Sequence, residues 1–183
     1  MEVKGTGILA TRSFVETQFA DQYQYFIHEL PIESKKIYTD VIKTSQWYSI
    51  EDAYYYPVKT IANMFFNGDE KKAGDALGRY SADYALNGIY KVFLMIASPQ
   101  SLMKAAKRII SLYYKPIHVE ISDVTKKSLV LSTSKMPVPS PILDYRVAAW
   151  CQRSLELAHC DNVKYEFITP NSKEDIAILL TWD

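Results

Sequence analysis

Apolar residues recur at threes and fours through the first two-thirds of the chain, then switch to strict alternation. Ile8, Phe14, Val15, Phe19, Tyr23, Phe26 and Ile27 trace one core-facing helical stripe, which Pro31 interrupts. Ile32, Ile37, Val41 and Ile42 predict a second short helix over residues 32–43. Trp47-Tyr48-Ser49 reads as a turn, with Ser49 an N-cap and Glu51-Asp52 in the favourable first turn of the next helix. After Pro57, the residues Val58, Ile61, Ala62 and Phe65 give another stripe, ended by Asn67-Gly68. Asp69 can cap the next helix, whose apolar face is Ala73, Ala76, Leu77, Tyr80 and Tyr84. Gly74 and Gly78 sit four apart on it. Each costs about 1 kcal/mol against Ala in a helix interior, so a closely packed neighbouring backbone is expected there. Asn87-Gly88 stops this helix. Residues 89–97 are apolar nearly all round, which predicts a buried helical segment. Ser98-Pro99 is a cap followed by an N1 proline, and opens a helix running to about Tyr113.

The period becomes two at Pro116. Ile117, Val119 and Ile121 alternate with His118 and Glu120 as a strand. Asp123 to Lys127 turns the chain, and Leu129-Val130-Leu131 begins a second strand. An extended loop, 136–141, leads to a helix over 142–159, with Leu143, Val147, Trp150 and Leu157 inward. Val163, Tyr165 and Phe167 alternate in a third strand; Ile176, Ile178, Leu180 and Trp182 alternate in a fourth. The expected class is α+β: a helical N-terminal two-thirds packed on a four-stranded antiparallel sheet, with ββαββ order in the C-terminal part. Residues 1–183 show no repeat or convincing linker, so a single domain is expected.

Charge narrows the function classes. Lys+Arg and Asp+Glu are each 21, so the net charge is zero. That argues against a chain built mainly to neutralise phosphates, and no nucleic-acid partner is expected. The longest apolar run, Val92 to Ala97, is far short of the ~20 residues of a membrane span. The start, Met1-Glu2-Val3-Lys4-Gly5, lacks the layout of a secretion signal, so a cytoplasmic location is expected. Cys151 and Cys160 fall nine residues apart in one predicted helix, roughly 13 Å along its axis. They should not form a disulfide, which needs Cα atoms within about 7 Å. His28, His118 and His159 show no zinc-ligand spacing, and no metal site is expected.

Candidate chemistry is sparse. There is no Gly-x-Ser-x-Gly, no His-Glu-x-x-His, and no P-loop, since Lys4-Gly5-Thr6-Gly7 lacks the Gly-Lys-Ser/Thr end. Those residues read as a flexible turn before a helix. Asp75, Arg79 and Asp83, at i, i+4 and i+8, read as a surface ion-pair ladder. Lys104, Lys107 and Arg108, with Lys126 and Lys127, form the best basic cluster and read as a solvated face. Fourteen tyrosines supply apolar bodies with polar tips, suited to a pocket wall, an interface or a core edge. Tyr54, Tyr55 and Tyr56 cannot all point inward from one helix, so at least one should be exposed.

The order of elements resembles the superfamily containing heme-nitric-oxide/oxygen-binding (H-NOX) domains, 4-vinyl-reductase-like domains and TRAPP trafficking subunits. The residues that carry the resemblance are Lys4-Gly5 leading a helix and Leu77-Gly78-Arg79-Tyr80 followed by Tyr84. They continue with the helix Ser98 to Tyr114 running into Ile117–Ile121, and the two hairpins around a Pro-rich loop and helix. The likeness spans nearly the whole chain. An H-NOX domain holds heme iron through a histidine on the helix before the first strand; residues 98–115 contain none, and the neighbourhood reads Leu102-Met103. H-NOX domains also clamp the heme propionates with Tyr-x-Ser-x-Arg; here the stretch reads Leu131-Ser132-Thr133-Ser134-Lys135-Met136. A heme needs an axial donor and a charge partner, so no heme cofactor bound in that manner is expected.

The resemblance implies a non-catalytic sensory domain holding a small, mostly apolar ligand between helices and sheet. Leu77, Tyr80, Tyr84, Leu102, Met103 and Ala106 are the expected wall residues. The alternative is a TRAPP-like interaction module, a homodimer or partner of a signalling protein, with Tyr54–Tyr56 and segment 89–97 at its interface. An enzyme ranks last, because no cofactor fingerprint or acid–base pair is visible.

Overall fold

The computed structural model describes residues 1–86 and 98–183. The chain opens with β1 (Glu2–Lys4), which runs directly into α1 (Gly5–Gln18), then α2 (Tyr23–Glu29) and α3 (Ile32–Thr39). Strand β2 (Trp47–Ser49) comes next, then a π-helical segment, Glu51–Tyr55, continuous with α4 (Tyr56–Phe65) and leading to α5 (Glu70–Leu86). Then come α6 (Pro99–Tyr113), β3 (Tyr114–Lys115), β4 (Val119–Ser122), β5 (Ser128–Ser134), α7 (Ile142–Leu157), β6 (Lys164–Ile168) and β7 (Asp175–Thr181). The class is α+β, as the periodicities indicated. The expected buried segment 89–97 lies outside the described residues.

The C-terminal strands form one antiparallel sheet in the order β4-β5-β7-β6. Its register places Ile121 opposite Leu131, Leu131 opposite Ile178 and Ile178 opposite Phe167, one apolar row across all four strands. Helix α7 covers this face, with the Tyr145 ring edge-on to Phe167 at 5.4 Å. The other side of α7 packs on α5, where the two glycines sit. A Cβ on Gly74 would lie 2.7 Å from Tyr145 Cβ, and one on Gly78 only 2.4 Å from the Arg146 carbonyl oxygen. The close approach expected of both glycines is therefore with α7, which is buried between sheet and helices.

Several local expectations change. Trp47–Ser49 is a strand, not a turn, and sits with β1 and β3 in a second sheet of order β2-β1-β3. Ser49 still caps the π-helical segment, accepting from the Asp52 N–H at 3.4 Å. The opening Lys4–Gly7 is no flexible turn. Strand meets helix there, and a Cβ at Gly5 would sit 2.1 Å from the Lys43 carbonyl oxygen. The long N-terminal stripe breaks at Phe19, whose backbone leaves the helical region and whose ring stacks on Phe65 at 3.9 Å. Helix α3 turns its Ser34–Tyr38 face inward, leaving Ile32 and Val41 exposed, because the Tyr38 hydroxyl reaches the Ala53 carbonyl. The cap at Ser98 (from the Ser101 N–H, 3.2 Å) and that at Asp69 (from the Lys72 N–H, 3.0 Å) form as expected.

Candidate functional site

Four helices converge on a cavity of about 40 Å³. Its walls are Gly7 and Ala10 of α1, Tyr54 of the π segment, Ser81 of α5, and Ile109, Ile110 and Tyr113 of α6. Tyr114 of β3 and Arg146, Val147 and Trp150 of α7 complete it. The four-stranded sheet contributes no residue, so the cavity lies among the helices and not between helices and sheet. Small residues open the space: Gly7 and Ala10 fall on the α1 face toward Tyr54 and Tyr113, and a Cβ at Gly7 would meet the Tyr113 ring at 3.2 Å. By volume the cavity admits about three water-sized occupants.

Arg146 dominates its chemistry. The side chain is 2% exposed and is the largest fully buried one among the described residues. Its Nη1 donates to Thr11 Oγ1 at 2.8 Å and its Nη2 to Ser81 Oγ at 2.7 Å. Its guanidinium carbon stands 4.2 Å from the centre of the Tyr54 ring. Nε has no partner among the described residues. No carboxylate of the described residues pairs with it, and residues 87–97 contain no Asp or Glu. The acids of α5 and α7 do not pair with it: Glu156 takes Arg79 and Arg153, Asp83 takes Arg153, and Asp75 accepts from the Tyr165 hydroxyl. Asp144, two residues before Arg146 and also buried, makes no bond to it; the Met136 backbone N–H and Lys135 act on that carboxyl, and its Oδ1 has no partner among the described residues. The expected ladder of Asp75, Arg79 and Asp83 is thus replaced by bonds to α7 and β6. A buried charge costs several kcal/mol, of which cation–π contact with a desolvated ring offsets about 2.

The phenols complete a donor-rich wall. The Tyr114 hydroxyl donates to Tyr54 at 3.2 Å, and burial pushes Tyr114 well above the ordinary phenol range, which keeps it neutral. Tyr38, fully buried beside the same group, is raised by burial too, with Arg146 acting in the opposite sense. Apart from the Trp150 indole, every polar side chain lining the cavity carries a hydroxyl or the Arg146 guanidinium.

Of the residues expected to wall a pocket, Leu77, Leu102, Met103 and Ala106 are fully buried in the continuous core and none lines this cavity. Tyr80 holds α5 to α1 through hydroxyl contacts with Ser13 and Thr17 at 2.8 and 3.1 Å. Tyr84 does not project inward: it is 47% exposed, one turn past Tyr80 and stacked on it. Of the three tyrosines expected at an interface, at least one of which had to be exposed, one is. Tyr54 and Tyr55 are buried because the π-helical turn rotates both into the core, and Tyr56 alone is exposed. Sequence reasoning missed Arg146. The available signal was its setting, a lone cation in the run Arg146-Val147-Ala148-Ala149-Trp150-Cys151.

No family model matches the sequence, and no curated protein matches it. Solved structures do match. An H-NOX protein from S. oneidensis in its Fe(II)NO state gives a TM-score of 0.74 at 14% identity, covering 98% of this chain and 99% of that one. An Fe(II) unliganded H-NOX protein from K. algicida gives 0.71 at 11% identity, over 98% and 96%. A substituted form of Tt H-NOX gives 0.72 at 12% identity, over 98% and 95%. The chain has an H-NOX-like fold. At these identities the likeness is one of fold, and its chemistry must be read from its own residues. Iron in an H-NOX-like fold requires an axial donor. Among the described residues, none lining the cavity is His, Cys or Met; the three histidines are exposed elsewhere, and Met103 is packed in the core. The Tyr114 phenol is driven away from ionisation, the wrong direction for a phenolate ligand. With about 40 Å³ of space as well, these residues do not fit a heme.

Proposed function

We propose that this chain is a non-catalytic sensory domain that binds a small molecule in the cavity beside Arg146, without iron. The supporting observation is a pocket among the packed helices, bounded by apolar walls (Ala10, Ile109, Ile110, Val147) and by one buried cation with no carboxylate partner among the described residues. Cores normally exclude both features. Among the described residues that line the cavity, no group is arranged as a nucleophile with its base. What occupancy can do is alter the packing of α1, α5, α6 and α7, the four helices that line the space. Of the surface on which the dimeric reading rests, Tyr54 and Tyr55 are buried, Tyr56 is exposed, and segment 89–97 lies outside the described residues.

Size sets the affinity. A ligand of about four non-hydrogen atoms, at a ceiling near 1.5 kcal/mol per atom, binds no tighter than about 40 μM. It would leave during purification, so the test is thermal unfolding against a panel of solutes of up to five heavy atoms. At a hundred times Kd, stabilisation of about 2.7 kcal/mol raises Tm by about 5–10 °C. A panel in which no solute gives a saturable rise overturns the reading. Hemin titration should give no sharp Soret band; a sharp band abolished by replacing a residue within 98–115 would contradict binding without iron.

A further inference from the structure

The cavity is chemically one-sided. Two of the five guanidinium N–H groups of Arg146 donate to Thr11 and Ser81; the remaining three find no acceptor among the described residues. Tyr54 accepts from Tyr114, and Ser81 accepts from Arg146. Thr11 is committed, donating to the Gly7 carbonyl at 3.1 Å. The site therefore offers donors and a positive charge, with no counter-charge. The guanidinium lies at the cavity wall, since both Ser81, which it bonds, and Tyr54, whose ring it faces, are lining residues. Ala10, Ile109, Ile110 and Val147 face it with hydrocarbon.

Resting on the ligand-binding reading above, we propose that the ligand is a small monocarboxylate of two or three carbons. Its carboxylate pairs with the free edge of Arg146, and its short alkyl end contacts Ile109, Ile110 and Val147. A guanidinium fork matches the two oxygens of a carboxylate. A buried charge with no carboxylate partner among the described residues gains one when an anion enters, so acids are selected over their neutral isosteres. A purely structural Arg146, bracing α1, α5 and α7, would create no such preference.

The test compares sodium acetate, acetamide and sodium chloride at matched ionic strength, with the purified 183-residue chain, by thermal unfolding and calorimetric titration. Acetate should bind saturably and at least about 30-fold more tightly than acetamide, with chloride weaker than acetate. Acetamide binding as well as acetate would overturn the anion assignment while leaving the cavity a ligand site. Chloride matching acetate would overturn the carboxylate class. Binding of none of the three, together with an empty solute panel, would remove the ligand-binding reading as well. Arg146→Met should abolish the acid preference; if that variant does not fold, the acid-to-amide ratio of the unaltered chain still decides.

Discussion

Replacing Gly78 with Ala should destabilise the protein although Ala is the better helix former. The added methyl would meet the Arg146 carbonyl oxygen at 2.4 Å, Ala149 Cβ at 2.8 Å and the Trp150 nitrogen at 2.9 Å. Two of these are backbone atoms of α7, which cannot swing aside as a side-chain tip can. Restoring ordinary contact requires α5 and α7 to separate by about 1 Å. Overpacking of this kind costs about 1–3 kcal/mol and occasionally more, against the roughly 1 kcal/mol that Ala gains over Gly in a helix. With a backbone oxygen at 2.4 Å the cost falls at the upper end of that range, so a net loss of about 2 kcal/mol is expected. The same displacement stretches the 2.7 Å bond from Arg146 to Ser81 past hydrogen-bond range, so ligand-induced stabilisation should fall too. Urea unfolding checks the first effect as a lower midpoint at unchanged slope. A midpoint equal to or above that of the unaltered chain would refute the tight α5–α7 packing and the argument built on it.

Three further outcomes are expected. Burial raises the Asp144 carboxyl to about 6, while the Met136 backbone N–H and Lys135 pull it down. The neutral form is thus favoured by folding, so its stabilising contribution is complete below about pH 4 and lost as pH rises through about 6. Asp144→Asn should therefore gain on the unaltered chain by about 2–3 kcal/mol between pH 4 and pH 8, and parallel urea-stability profiles would contradict this. Ser98→Ala removes the acceptor for the Ser101 N–H and should cost about 1 kcal/mol in the same assay. Tyr56→Ala should lie within about 0.5 kcal/mol of the unaltered chain, whereas Tyr54→Ala should cost about 3 kcal/mol or more, and equal effects would refute the burial assigned to the π segment.

Much of the architecture was legible because the sequence signals were local and agreed with one another. The Ser98-Pro99 start, the Asp69 cap, the alternation in 117–121 and 176–182, and the Gly74/Gly78 pair all describe what the fold does with them. The features that escaped reading depend on partners distant in the chain. Strands β1, β2 and β3 have two or three residues each, too few for alternation, and exist only because Val3 pairs with both Tyr48 and Tyr114. The inward face of α3 is set by Tyr38 meeting Ala53, so of the expected stripe Ile37 and Ile42 meet the core while Ile32 and Val41 are exposed. Leu77, Leu102 and Met103, expected as pocket walls, are buried in the continuous core and do not line the cavity beside Arg146. The opening lies where Gly7, Ala10 and Ser81 are small, and its charge sits on α7. Because that helix is covered on two sides, a polar position in it points inward as readily as outward.

The most direct measurement is a methyl NMR titration of the chain with sodium acetate, which reports where a ligand sits as well as whether it binds. The methyls of Ala10, Ile109, Ile110 and Val147 should shift together and saturate along one curve, while those of Leu77, Leu102 and Met103 stay still. Saturable shifts at Leu77, Leu102 and Met103 instead, or no shift at the four cavity residues with any solute of the panel, would contradict a ligand site beside Arg146.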